Sequence, residues 1–225
     1  MQRDIRVFFA NTETLSNEQQ QHLFDRLPDT QKNKVLGLKS KKKKREFVVG
    51  RTLLIHALQS EKNLQSLPLI LEEPFAAPKV DSLDNCYVSI SHSGCLVCCV
   101  LHTDPVGIDI EHKKNRKDLI HKSDFFMHHD ELETLKTIVR DDRKTHYFYE
   151  VWCTKEAFFK ALDSDRQKQT SLKSIQLSLC FKGGEWSVFQ SDMDNHHLSL
   201  VYRGEERQVQ LMAVDLSNCW QTSSL

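Results

Sequence analysis

The sequence has no long apolar run and no excess of charge of either sign. No stretch reaches the roughly 18 apolar residues of a membrane-spanning helix, and the first five residues do not begin the apolar core of a secretory signal. Lys and Arg total 31, as do Asp and Glu, so the basic character typical of a nucleic-acid binder is missing. We therefore expect a cytoplasmic monomer with no membrane or nucleic-acid partner.

The seven cysteines do not indicate a disulfide framework. Their number is odd, and thiols stay reduced in the expected compartment, so mostly buried free thiols are predicted. With 225 residues, of which 39% are hydrophobic, the chain is long enough for one sizeable core or two small ones.

Signals of strands and helices alternate along the chain and predict an α+β fold with helices packed on antiparallel strands. Strands are predicted at residues 5–9, in a hairpin over 86–100 that turns at Ser93-Gly94, at 106–111, and as an antiparallel sheet over 175–216. Helices are predicted over residues 16–27, 44–58 and 142–162.

Two acids lie on one face of a predicted strand. Asp109 and Glu111 are separated by one residue, and a strand has a period of two, so both carboxylates project from the face opposite Ile108 and Ile110. Mg²⁺ typically takes one or two protein carboxylates and leaves its other positions to water and phosphate. The pattern is therefore compatible with a magnesium site, and also with a solvated acidic strand end beside Lys113.

A third carboxylate is available on the predicted helix over residues 142–162. Trp152, Glu156 and Lys160 lie on one stripe of that helix because they are four residues apart. Glu156 either joins the two strand acids or forms an ordinary Glu–Lys pair on the helix surface.

The sequence does not favour a serine hydrolase. Ser91 and His92 are adjacent on a predicted strand and so point to opposite faces, and the G-x-S-x-G motif of such enzymes is absent. His92 is then either a phosphate contact or a surface histidine at a hairpin turn.

Lys39 and the basic run at residues 41–45 are the strongest local charge in the chain. Such a run is either a solvated helix face or a patch that attracts an acidic partner or a nucleotide phosphate.

Four motifs taken together resemble 4′-phosphopantetheinyl transferases of the surfactin-synthetase-activating type. They are G-R-T-L-L at residues 50–54, S-H-S at 91–93, V-G-I-D-I-E at 106–111 and W-x-x-K-E-A-x-x-K at 152–160. The resemblance extends from about residue 5 to residue 216. The most specific part of this resemblance is that the last two motifs occur together, in this order and at this separation along the chain.

The resemblance implies a pseudo-dimer of two similar halves with the active site in the cleft between them. Each half is expected to be an antiparallel sheet packed with helices, the first over residues 1–104 and the second, with the metal site, over 105–225. A weak similarity between residues 50–58 and 154–162 agrees with such a duplication.

The resemblance also implies an activity. The family transfers the 4′-phosphopantetheine group of coenzyme A to a serine of an apo acyl or peptidyl carrier protein and releases 3′,5′-ADP, with Mg²⁺ or Mn²⁺ as cofactor. Such carriers serve fatty-acid, polyketide and nonribosomal-peptide synthesis. Two alternatives remain, a magnesium-dependent pyrophosphatase that shares the three acids and a module that binds coenzyme A without turnover, against which the intact acids argue.

Site residues follow from the same resemblance. The expected metal ligands are Asp109, Glu111 and Glu156. The expected catalytic residues are Asp109, Glu156 and Lys160, with Glu156 as the first candidate for the general base. The expected coenzyme A contacts are Arg51, Ser91, His92, Lys155, Lys34 and Pro78. The chain departs from the family at Ala77, where lysine is common, and at Ser89, where asparagine is frequent.

A carrier protein requires a docking surface. The segment over residues 113–127 carries Phe125, Phe126 and Met127 among lysines, which suits the acidic recognition helix of carriers. The alternative is that both phenylalanines belong to the core.

Overall fold

The computed structural model describes residues 4–62, 64, 69–71, 78–81, 83–114 and 120–217. In these ranges the α-helices are α1 (Asn17–Asp25), α2 (Asp29–Gly37), α3 (Lys41–Lys62), α4 (Ser123–Phe126), α5 (His129–Thr137), α6 (Asp141–Ala161), α7 (Ser164–Gln169) and α8 (Leu177–Cys180). The strands are β1 (Ile5–Asn11), β2 (Ile70–Leu71), β3 (Lys79–Val80), β4 (Tyr87–Ser93), β5 (Leu96–His102), β6 (Val106–His112), β7 (Trp186–Met193), β8 (His196–Arg203) and β9 (Val209–Ala213).

The first sheet has the strand order β4-β5-β1-β9. The inner strand β5 is apolar from Leu96 to Leu101, a pattern that favours burial on both faces. Val97 and Cys99 pack under helix α3, against Leu53. Cys98 and Val100 face the second sheet. The helix α3 therefore covers the outer face of this sheet.

The second sheet has the strand order β6-β8-β7 and is antiparallel throughout. Ile108 and Leu200 on its inner face share a buried cluster with Val7 and Val100 of the first sheet. On the outer face, helix α6 packs through residues that include Ala157. The two sheets thus pack face to face between α3 and α6.

The two halves follow the same order of elements. In each, a strand is followed by short helices, one long helix and a hairpin whose second strand pairs with the first strand of that half. This agreement supports the proposed duplication. It is not complete, because β9 follows the second half in sequence yet pairs parallel with β1 of the first sheet.

The C-terminal part of the chain corrects one expectation. Residues 175–216 were expected to form one antiparallel sheet, but residues 177–180 are helical and β9 lies in the other sheet. Alternation reports that a strand has two different faces and carries no information about its partner. The division between residues 104 and 105 stays a prediction. Leu216, which the prediction assigns to the second half, packs in the core of the first half.

Local signals explain where several elements begin. Ser16 caps α1 through a capping box with Gln19, as its position predicts. The hairpin β4–β5 turns at Gly94, whose φ of +60° is a conformation that glycine adopts at low cost. In the described residues, no helix has the length and hydrophobicity needed to cross a membrane.

Gly107 allows the close approach of α6 to β6. A Cβ atom at this position would overlap the carbonyl oxygen of Ala157 and lie 2.7 Å from the amide nitrogen of Ala161. We expect Gly107→Ala to lower the free energy of unfolding, measured by urea denaturation, by about 1–3 kcal/mol or more. This is the usual cost of over-packing. Gly37→Ala is the control, since nothing lies within 4 Å of its Cβ position. Equal stability of the two variants would contradict this close packing.

Candidate active site

Three serines of β4 connect the two halves of the molecule. Ser89, Ser91 and Ser93 share one face of the strand because a strand has a period of two. Their hydroxyl oxygens accept hydrogen bonds from alternate backbone N–H groups of β6, from Ile108 to Ser89 at 3.0 Å, from Ile110 to Ser91 at 3.3 Å and from His112 to Ser93 at 3.0 Å. The edge of the second sheet is therefore joined to the first by side chains.

The same serines orient the two strand acids. The Ser91 hydroxyl donates to Asp109 Oδ1 at 2.9 Å, and the Ser93 hydroxyl donates to Glu111 Oε2 at 2.7 Å. Each of these hydroxyls thus bonds both the backbone of β6 and the carboxylate beside it. Sequence reasoning missed the role of Ser93, although the alternation of serines along residues 89–93 was a readable signal.

Asp109 is almost fully buried, with 4% of its surface exposed. Its Oδ1 accepts from Ser91 and, at 2.7 Å, from the ammonium of Lys160. Its Oδ2 is buried and has no hydrogen-bonding partner among the residues that the structure describes. A buried carboxylate oxygen without a partner is costly, so this oxygen fits a position for a bound cation.

Lys160 reaches the acids from the last turn of α6. Its ammonium also donates to the Ser91 hydroxyl at 3.1 Å and to the Ile108 carbonyl at 3.2 Å. Burial opposes the charged form, but Asp109 and Glu156 hold the pKa of Lys160 above its ordinary value. Lys160 therefore supplies a permanent positive charge at this position, as expected for a catalytic lysine.

Glu156 lies one helical turn before Lys160 and faces the strand acids. Burial and the charges of Asp109 and Glu111 raise the pKa of its carboxyl, while Lys160 opposes the change. The charges of Asp109 and Glu111 act on Glu156, although in the described residues the donor atoms of these three predicted metal ligands do not all lie within 4.8 Å of one another. Their repulsion is relieved in part by Lys160, and a cation would relieve the remainder.

Lys155 does not occupy the position expected of a coenzyme A contact. Its side chain is 0% exposed and forms an ion pair with Glu131 at 2.7 Å. The ammonium also donates to the carbonyls of Phe126, Leu172 and Ile175 at 2.8, 3.1 and 2.7 Å. A lysine has three donor hydrogens, so these acceptors use all of them. In this structure Lys155 fixes α6 to the segments around it, and its expected contact with a phosphate of coenzyme A stays a prediction.

Ser91 was also expected to contact coenzyme A, and the structure places it differently. Only 6% of its surface is exposed. Its hydroxyl is used by Asp109, by the backbone of Ile110 and by Lys160. Ser91 therefore positions the acid, and its contact with coenzyme A stays a prediction.

Arg51 and Lys34 lie on the helices of the first half. Arg51 is half-buried on α3, where its Nε donates to Gln31 Oε1 at 3.3 Å and its guanidinium lies 4.4 Å from the centre of the Phe47 ring. Lys34 is exposed near the end of α2. Their contacts with coenzyme A stay predictions.

His92 and Pro78 are accessible from solvent. The His92 side chain is half-exposed, and its Nδ1 lies 3.6 Å from Glu46 Oε2. Pro78 lines a cleft of about 550 Å³ together with Lys160 and Leu162, whereas the three predicted metal ligands do not line it. The departure at Ala77 lies outside the described residues.

The comparison with known proteins gives a family for the second half. Residues 105–212 match a family model described as the 4′-phosphopantetheinyl transferase superfamily. The matched range includes all three predicted metal ligands and Lys160.

Curated relatives carry the same name. The chain is 35% identical over 89 residues to the 4′-phosphopantetheinyl transferase Sfp of Bacillus subtilis (strain 168), which covers 39% of this chain and 38% of that protein. It is 25% identical over 147 residues to 4′-phosphopantetheinyl transferase ffp of Bacillus subtilis, an alignment that covers 65% of this chain and 64% of that protein. It is 33% identical over 117 residues to 4′-phosphopantetheinyl transferase psf-1 of Bacillus pumilus, an alignment that covers 52% of this chain and 49% of that protein. The aligned chain thus spans less than two thirds of the length of each of these relatives. The second half of the chain is therefore similar to the 4′-phosphopantetheinyl transferase superfamily, in agreement with the resemblance predicted from its motifs.

Proposed function

We propose that this protein transfers the 4′-phosphopantetheine group of coenzyme A to a serine hydroxyl of an apo acyl or peptidyl carrier protein, with release of 3′,5′-ADP. The observation that carries the proposal is the buried Asp109, whose Oδ2 has no partner in the described part of the chain, beside Glu111, Glu156 and Lys160. This cluster lies in the segment that matches the superfamily.

The carboxylates of Asp109, Glu111 and Glu156 fit a hard divalent cation such as Mg²⁺ or Mn²⁺. An all-oxygen donor set that leaves positions for water and phosphate is the one that these ions prefer. When bound, such an ion neutralises charge on the pyrophosphate of coenzyme A and on the leaving group. Ser91 and Ser93 hold two of the carboxylates in place.

Glu156 and Lys160 are the groups of this chain that act on the reacting atoms. A carboxylate whose pKa is raised, as that of Glu156 is by burial and by Asp109, accepts a proton more readily near neutral pH. We assign it the removal of the proton from the attacking serine. Lys160 is held charged beside Asp109 and stabilises the negative charge that grows on the phosphate oxygens.

Coenzyme A is assigned to the cleft beside Pro78 and Lys160. Arg51, His92 and Lys34 do not line this cleft and are proposed to contact the phosphates that extend beyond it. The basic run at the start of α3 lines a second groove of about 970 Å³, which His112 and Lys114 also line. A positive groove of this kind attracts phosphates and acidic partners.

The docking surface for the carrier is assigned to Phe125. Its side chain is 81% exposed, whereas Phe126 and Met127 are buried in the core. The structure thus divides the predicted segment, with one phenylalanine outside and the other inside. An exposed aromatic residue next to Lys122 suits a partner with an apolar and acidic helix.

The transfer reaction itself is tested with purified components. We expect an apo-carrier incubated with the protein, coenzyme A and Mg²⁺ to gain one phosphopantetheine per target serine, detected by mass spectrometry of the intact carrier. Because the three carboxylates repel without a cation, excess EDTA is expected to stop the reaction and added Mg²⁺ or Mn²⁺ to restore it.

Two controls separate this activity from the other functions that fit the acids. A carrier whose target serine is replaced by alanine should gain nothing, and coenzyme A incubated without a carrier should stay intact. Hydrolysis of coenzyme A in the absence of a carrier would instead indicate a pyrophosphatase. Binding of coenzyme A without modification of any apo-carrier in a panel would indicate a binding module.

A further inference from the structure

A second cluster of metal-ligating side chains lies near the beginning of α6. Asp192 on β7 and His197 on β8 are directly paired across the two strands, so their side chains share one face of the sheet. His146 on α6 reaches the same place. One donor atom of each of these three residues lies within 4.8 Å of the others.

We propose that His146, Asp192 and His197 form a second metal site, for a transition-metal ion of the Zn²⁺ or Co²⁺ type. Two imidazoles and one carboxylate are ligands that such ions take readily, whereas Mg²⁺ prefers oxygen alone. The site therefore differs in chemistry from the cluster of Asp109, Glu111 and Glu156. It is independent of the proposed transfer reaction.

The spacing of the donor atoms suits a single ion. The His197 Nδ1 is 2.9 Å from Asp192 Oδ1, and the His146 Nδ1 is 3.7 Å from Asp192 Oδ2. With bonds of about 2.0–2.1 Å, ligands around a tetrahedral ion stand roughly 3.3 Å apart. Small side-chain rotations are therefore enough to place all three donors around one metal.

Two neighbouring residues complete the cluster. Glu150 Oε1 lies 3.2 Å from the His146 Nε2 and offers a further oxygen at the side of the site. Lys113 forms an ion pair with Asp192 at 3.0 Å and is 24% exposed. Its ammonium neutralises the carboxylate in the structure, so a bound metal would displace a flexible side chain that can move into water.

The position of the cluster gives the metal a structural effect. His197 is paired with Glu111 of the acid cluster on one side and with Asp192 on the other. An ion at the proposed site would connect α6 to β7 and β8, and β8 is the strand that pairs with the strand of Glu111. Since Glu156 and Lys160 lie further along the same helix, the ion would restrain the helix that carries them.

The proposal is tested with Co²⁺ and the full-length protein. Excess Mg²⁺ occupies the acid cluster, and a phosphine reductant keeps the cysteines as thiols. We expect isothermal titration calorimetry to give one equivalent of Co²⁺ and the visible absorption spectrum to show the ligand-field bands of a four-coordinate ion. A thiolate-to-cobalt charge-transfer band in the ultraviolet, or no binding, would overturn the proposal.

Variants of partly exposed residues locate the bound ion. Removing a residue that only hydrogen-bonds to a metal ligand weakens metal binding about 10–100-fold. His146→Gln and Asp192→Asn change the ligands themselves, so each is expected to weaken binding about a hundredfold or more. Lys113→Met removes the competing cation and should tighten binding roughly tenfold, the scale of one charged hydrogen bond. His129→Gln, at an exposed histidine of α5, is the matched control and should bind as the original protein does. Unchanged affinity in both His146→Gln and Asp192→Asn would contradict the site.

Discussion

Asp109→Asn is expected to lower turnover of the carrier by about a hundredfold or more, the scale for losing one charge that stabilises the transition state. The amide keeps the shape of the side chain and can still accept from Ser91 and Lys160 at the Oδ1 position. It loses the negative charge at the buried Oδ2, which has no partner in the described residues. The measurement is the initial rate of phosphopantetheine transfer at saturating coenzyme A and Mg²⁺.

A control keeps this loss separate from unfolding. Asp25→Asn changes an exposed aspartate at the end of α1 and should leave the rate unchanged. The urea midpoint of each variant shows whether it is folded. If Asp109→Asn is unstable, Glu111→Gln replaces it, because Glu111 is less buried. A folded variant of either acid whose rate stays within about threefold of the original would remove that residue from the metal site.

Lys155→Met is expected to be the most destabilising single substitution considered for this protein. Removing one partner of a buried ion pair typically costs about 3–5 kcal/mol, because the other charge is left without compensation. Glu131 is 5% exposed and would keep its carboxylate, while the three backbone carbonyls that Lys155 serves would lose a donor. The free energy of unfolding from urea titration measures the effect.

Three further variants test the assignment of Lys155. Lys136→Met removes an exposed lysine that pairs with Glu133 on the surface of α5 and should change stability little, because exposed pairs contribute little. Glu131→Gln combined with Lys155→Met should cost less than the sum of the two single changes, since both delete the same interaction. If Lys155→Met is as stable as the original and only the affinity for coenzyme A falls, the phosphate contact expected from the family would be restored.

Local sequence patterns predicted most elements, with boundaries that differ by a few residues. The period of two placed Asp109 and Glu111 on one face of β6, and the structure agrees. Helical spacing placed Glu156 and Lys160 on the same side of α6. These features depend only on the geometry of one strand or one helix, so the residues of that single segment are enough to predict them.

The partners of β9 and Lys155 were not readable in the same way. The alternation in residues 209–213 is compatible with either sheet, and pairing with β1 is decided by contacts between distant segments. Lys155 stands in a family motif next to Glu156, yet the helix turns it about 100° away toward Glu131. Neighbouring residues of one helix can therefore face different surroundings, which the motif alone does not reveal.

The sequence by itself determined the resemblance to the family and predicted the three carboxylates and the lysine, because these depend on residue type and on spacing within single elements. The tertiary structure decided what each side chain meets. It made Ser91 and Ser93 the supports of the two acids, placed Lys155 in a buried ion pair, and brought His146 to Asp192 and His197. These are contacts between elements far apart in the chain, and their geometry is set by how sheets and helices pack, which no local pattern of residues encodes.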